Sequence, residues 1–130
     1  MEICFLDPSR TKKVIERLNS DPEFRIAAKF MTQDILLGAG ETKCIVRARD
    51  GIITEIAFDP SQIDKWNFYI RAPEKGWQLL LKPFPPPFYQ GFFTAAMRED
   101  FEFGGDVEAL FAHYWAVQRM LAVMREMQNE

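Results

Sequence analysis

The side chains able to do chemistry are few and poorly grouped. His113 is the only histidine, and it lies seven residues from Asp106 on a comparatively polar helix face. A general base needs a partner within hydrogen-bond reach, so His113 reads as a surface or interface side chain. Cys44 falls on the inward face of an alternating strand, where a thiol behaves as a small hydrophobe. Two cysteines and one histidine cannot complete a Cys/His zinc site within one chain. Gly104-Gly105-Asp106 opens a helix as an anion cradle would, but Asp106 puts negative charge where a phosphate would sit. It reads as a plain helix cap. Arg98, Glu99 and Asp100 read as the solvated end of a helix. The sequence therefore assigns no catalytic residue, no metal site and no cofactor, and the chain is expected not to be an enzyme.

What the chain has instead is rings beside prolines. Pro83, Pro85, Pro86 and Pro87 forbid regular helix or central strand. Phe84, Phe88, Tyr89, Phe92 and Phe93 crowd aromatic surface next to that stiff segment. Such rings must be buried against the core, a ligand or a partner chain. The residues alone leave those three readings open. Pro85-Pro86-Pro87 could also serve as a polyproline ligand, although rings on both sides favour a static lid.

Composition narrows the class. With 130 residues, 48% of them apolar and 14% aromatic, one domain with a true core is expected over residues 1–130. The net charge of −3, with signs interspersed, leaves no basic footprint for nucleic acid. No apolar run approaches a membrane span, and MEICFLDPSR does not read as a signal peptide. Cys4 and Cys44 are expected to remain thiols in a reducing cytoplasm.

The elements that must position these groups can be read in order. Asp7-Pro8 starts a helix over about 8–19, with Val14, Ile15 and Leu18 on its apolar side, and Asp21-Pro22 starts a shorter one. From about Lys29 the pattern is extended, ending in Ile35 to Leu37, and Gly38 to Glu41 is turn chemistry. Cys44, Val46 and Ala48 alternate with charged residues. Asp50-Gly51 then predicts a tight primed turn into a return strand over 52–58. Trp66, Phe68 and Ile70 predict a further strand with those three on one face. A short helix carries Trp77, Leu80 and Leu81, and another is expected over about 88–98. A short strand at 101–103 precedes one long final helix over 107–127. That helix is apolar on more than one side, so Met120, Val123 and Met127 are candidates for a homodimer contact.

This order of elements resembles the sterol-carrier-protein family of non-specific lipid-transfer domains. The matching residues are Asp50-Gly51, Ile70 with Trp77-Gln78-Leu79-Leu80, and Phe101-Glu102-Phe103-Gly104-Gly105-Asp106. The resemblance implies an α+β fold, a mainly antiparallel sheet with helices packed on one face. It also implies non-enzymatic binding of an apolar small molecule, such as a sterol, fatty acid or acyl chain, between sheet and helices.

If the proline segment is a lid, its rings and the final helix should enclose an apolar pocket. Phe88, Phe92 and Met97 would come from the lid, Phe111 and Trp115 from the facing helix, and Trp77 and Leu80 would close the end. Tyr89 and Tyr114 are the polar handles. The rival reading is a dimeric scaffold or accessory subunit in which all these rings pack only core and subunit interface.

Overall fold

Asp-Pro pairs start two helices, as the sequence predicts. The Asp7 carboxylate accepts the Ser9 N–H at 3.0 Å, and Pro8 opens a tight 3-10 turn, Pro8–Arg10, that runs into α1 (Thr11–Ser20). Asp21 accepts the Phe24 N–H at 2.8 Å, and Pro22 is the first residue of α2 (Pro22–Ala27). In both, a carboxylate satisfies an orphan donor where proline has none to lose. The computed structural model describes residues 2–130. A further 3-10 turn, Cys4–Leu6, precedes these helices and is fully buried.

Five strands follow the alternation in the sequence. They are β1 (Gln33–Ala39), β2 (Thr42–Arg49), β3 (Ile52–Phe58), β4 (Phe68–Ala72) and β5 (Glu102–Gly105), arranged β3-β2-β1-β4-β5. Among the described residues three pairings are antiparallel, and only β1 with β4 is parallel. In register, Leu37 lies between Cys44 and Ile70, and Ile35 between Val46 and Phe68, so one face is a continuous apolar sheet. On β3 the buried residues Ile53 and Ile56 are three apart, which simple alternation forbids. A bulge resolves this. Arg47 pairs Glu55 while Ala48 pairs Ile53, leaving Thr54 as the extra residue and returning both isoleucines to the core.

The helices cover that face: α1 and α2, then α3 (Glu74–Leu80), α4 (Phe92–Arg98), α5 (Val107–Ala112) and α6 (Tyr114–Gln128). The fold is thus α+β, mainly antiparallel, with helices on one side. On the other face, where Ile45 is buried, Arg47 donates to the Lys65 carbonyl of the connection 59–67 at 3.3 Å.

Four expectations are corrected. The final helix is broken at His113 (φ −111°, ψ 25°), whose N–H closes α5 on Ala109 while its carbonyl starts α6 through Val117. Trp66 lies outside β4 and so escapes its alternation: it packs edge-on against Tyr69 of the opposite face, centroids 5.6 Å apart. Gly38 and Ala39 belong to β1, and only residues 40–41 turn. Helix α4 starts at Phe92 rather than near 88, because the prolines lead into a tight turn, closed by the Tyr89 N–H on the Pro86 carbonyl at 3.1 Å, in which Phe88 adopts a positive φ of 74°.

The homodimer face is also corrected. Met120, Val123 and Met127 are each at most 2% exposed. The second apolar side of α6 is used up by the N-terminal segment: the Cys4 N–H donates to Gln128 Oε1 at 2.7 Å, and Arg10 donates to the Met127 carbonyl at 2.7 Å. The chain buries in itself what looked like a subunit contact.

The Asp50-Gly51 turn has φ of 50° and 81°, the left-handed pair a primed hairpin requires. Gly51 is constrained twice, since a Cβ there would stand 2.5 Å from the Ala28 carbonyl oxygen. Gly40, at φ 61°, faces open space. Gly40→Ala should therefore cost about 1–2 kcal/mol, the steric cost of the left-handed region. Gly51→Ala should cost clearly more. Equal denaturation midpoints for the two variants would contradict this.

Candidate functional site

The rings form two groups divided by depth. Trp77, fully buried, meets Phe5 at 4.9 Å and Phe101 at 4.8 Å, both edge to face, and its indole N–H donates to the Gly38 carbonyl at 2.7 Å. Tyr89 joins through Phe101 at 6.4 Å. Its hydroxyl donates to Asp100 Oδ1 at 2.9 Å. Burial first, and the Asp100 hydrogen bond second, push the phenol up to about 12. That proton is committed, and Tyr89 is part of the frame.

The second group lies towards solvent. Phe92 of α4 contacts Phe103 of β5 at 6.0 Å and Tyr114 at 5.4 Å. Phe93 contacts Phe103 at 6.0 Å and Phe111 at 5.9 Å. Phe111 and Tyr114 stack at 6.1 Å across the break in the final helix, and Tyr114 meets Trp115 at 5.1 Å. Phe92 is fully buried, whereas Phe111 is 45% and Trp115 74% exposed. Lid and helix therefore touch here through ring-to-ring contacts and do not stand apart around a cavity. Burial pushes the Tyr114 phenol up as well.

Trp115 also lines a cleft of about 330 Å³ between α2, residues 90–91 and α6. Leu80 and Leu121 supply apolar wall, and Gln90, Gln118, Arg119 and Arg125 supply donors. Arg125 holds the proline segment: it donates to the Leu80 carbonyl at 2.8 Å and to those of Tyr89 and Gln90 at 3.2 Å. Asn129 adds a bond to the Leu81 carbonyl at 2.7 Å. Nε and one terminal nitrogen are thus taken up by a helix-end carbonyl and by two loop carbonyls that lie outside any ladder. Arg119 grips Asp21 with two bonds, at 2.8 and 2.7 Å, fixing α2 to α6. This holds the Asp21 carboxyl below its usual range.

Of the nine expected ligand contacts, Phe92, Phe111, Tyr114 and Trp115 come together in the outer group, and Leu80 lines the adjoining cleft. Trp77 and Tyr89 stand behind it in the inner group. Phe88 and Met97 lie on the surface, with the Arg98 guanidinium over the Phe88 ring at 4.5 Å. Phe93 and Phe103 join the outer group beyond the nine expected contacts. Their signals are the strand alternation of Phe103 and the neighbouring pair Phe92-Phe93, of which a helix can bury only one fully. The thiols take no part, since burial pushes Cys4 up to about 11 and Cys44 to about 12. Among the described residues no group of three or more His, Cys, Asp or Glu could hold a metal ion, and no helix is long and apolar enough to cross a membrane.

No family model matches the chain, and neither does any curated protein. Solved structures do. A crystal structure of sterol carrier protein 2 superposes with a TM-score of 0.76, at 20% identity over 93% of this chain and 97% of that one. The chain has the sterol-carrier-protein fold. A conserved hypothetical protein from Thermus thermophilus, described as possibly a sterol carrier protein, gives a TM-score of 0.72 at 19% identity. That match covers 96% of this chain and 90% of the other. The ubiquinone synthesis protein UbiJ-SCP2 gives 0.56 at 13% identity, over 94% and 90%. These likenesses are of fold.

Two expectations follow from this geometry. Phe92→Ala should cost about 3–5 kcal/mol, as for a ring removed from a packed core. Trp115→Ala should stay within about 0.5 kcal/mol of wild type. Denaturant titration of both variants checks the division by depth. The Asp21–Arg119 pair gives a pH dependence. A carboxyl held low in the folded state stabilises it above the ordinary value of 3.8, and that contribution is lost as pH falls through the folded value. Asp21→Asn should be less stable than wild type by about 1–2 kcal/mol at pH 7. The gap should narrow as the pH falls below 3.8. A gap independent of pH would contradict the pairing.

Proposed function

We propose that the chain binds an amphipathic lipid and carries it without chemical change. The observation that carries this reading is the outer ring group, an uncharged aromatic face that stays partly open and runs through Trp115 into a cleft lined with amide and guanidinium donors. The apolar part of the ligand lies on Phe111, Tyr114 and Trp115, backed by Phe92, Phe93 and Phe103. Its polar end lies in the cleft near Gln118 and Arg125, with Leu80 as the apolar wall. The structural neighbours fit the same class, one being a carrier of sterol by name and another a ubiquinone synthesis protein.

Magnitudes favour an amphipathic ligand over a purely apolar one. Aromatic side chains bury about 150–250 Å² each. Covering the exposed part of Trp115 and Phe111 then removes on the order of 200 Å² and gains about 5 kcal/mol at 25 cal/mol per Å². By itself that corresponds to a dissociation constant of roughly 0.1–1 mM before any ordering cost. Charge-assisted hydrogen bonds in the cleft are needed to reach the micromolar range.

A fluorescent fatty acid titrated into wild type should bind saturably in the micromolar range, and Trp115→Ala should weaken it at least threefold with stability unchanged. Absence of saturable binding by the wild type would overturn the proposal.

A further inference from the structure

The opposite face of the sheet, away from the helices and the rings, carries a second concavity. It measures about 470 Å³ and lies between the strands and the 59–67 connection. Register explains its shape. Gly38 of β1 pairs with Lys43 on one side and Arg71 on the other, so two cationic residues flank a bare backbone position in one row. In the preceding row of the same face Leu36 pairs with Tyr69, and Trp66 stands edge-on against that ring at 5.6 Å. The concavity thus brings aromatic and cationic side chains together over a bare backbone position.

We propose that this groove is a binding site for a small planar aromatic anion, a carboxylate on one or two fused rings. Its volume suits a small ligand. Both charged residues lining it, Lys43 and Arg71, are cationic, in a chain whose net charge is −3. Two strand spacings separate their Cα atoms, about 10 Å. A carboxylate over Gly38 lies between them. Arg71 is set in place beforehand: Nε and one terminal nitrogen each hold Glu102 Oε2 at 2.8 Å, and the guanidinium sits 4.8 Å from the Tyr69 ring centre. Its other terminal nitrogen and the ammonium of Lys43 have no ion-pair partner among the described residues. Gly38 is what lets the anion approach. A Cβ there would stand 3.2 Å from Arg71 Cβ and 3.9 Å from Lys43 Cγ and would fill the space between them. Leu36, Tyr69 and Trp66 receive the ring.

The test is an amide NMR titration of the full chain with 2-naphthoate, and with 2-naphthylmethanol as its neutral counterpart. Naphthoate should shift the Gly38, Gly40 and Tyr69 amides saturably, at least fivefold more tightly than the alcohol. Lys43→Met should weaken it at least threefold while the free variant keeps the wild-type spectrum. Should that variant fold poorly, Lys43→Gln serves the same purpose. Three results would each overturn the proposal: no saturable shift at these amides, equal affinity for acid and alcohol, or shifts confined to Phe111, Tyr114 and Trp115. The last would place the probe on the ring group behind the sheet and leave the lipid reading intact.

Discussion

A buried indole N–H must find an acceptor, and few acceptors in a sheet are free. Trp77 donates to the carbonyl of Gly38 in β1, at the centre of the five strands. That bond fixes α3 on the sheet. The edge contacts with Phe5 and Phe101 bring the N-terminal turn and the approach to β5 to the same point. From there Phe101 reaches Tyr89, and Tyr89 is tied by its hydroxyl to Asp100, so the proline segment is anchored from inside. Gly38 also matters on its outer side, where the lack of a side chain opens the groove between Lys43 and Arg71. One backbone position thus serves the core on one face and a cleft on the other.

The proline segment is held from outside as well. Arg125 and Asn129 of the final helical region take up the carbonyls of Leu80, Leu81, Tyr89 and Gln90. Burial disfavours the charged guanidinium, and charge-assisted bonds to carbonyls offset that cost. With both edges tied, the rings that follow cannot swing freely. Phe92 goes inward, Phe93 stays half-buried, and the break at His113 places Phe111 and Tyr114 in a stack against them. A surface already ordered in this way loses little further freedom on binding, which favours affinity from a modest contact area.

Much of the fold was legible because local and global signals agreed. Asp21-Pro22 caps the helix it announces, Asp50-Gly51 makes the turn its chemistry demands, and Leu37 alternates as a half-buried strand should. The illegible parts have physical causes. Ile53 and Ile56 share a face only because of a bulge, whose inserted residue breaks the alternation from which a shared face would be read. The apolar excess on α6 was visible, but not its destination, because a helix stripe cannot say whether a subunit or the chain's own N-terminus covers it. Trp66 followed the alternation of Phe68 and Ile70 by coincidence of spacing, while its backbone belongs to a connection. At the site, the residue types were readable, but not their division into an inner frame and an outer face. That division depends on Asp100, which takes the Tyr89 hydroxyl, and nothing in the spacing joins those two.

The central claim is that a lipid rests on the outer ring group. Intermolecular NOEs between a ¹³C-labelled fatty acid and the aromatic protons of the protein test it most directly. NOEs are expected from the acyl chain to Trp115, Phe111 and Tyr114, and none to the buried ring of Trp77. A bound fatty acid showing NOEs only elsewhere, with those three rings silent, would contradict it.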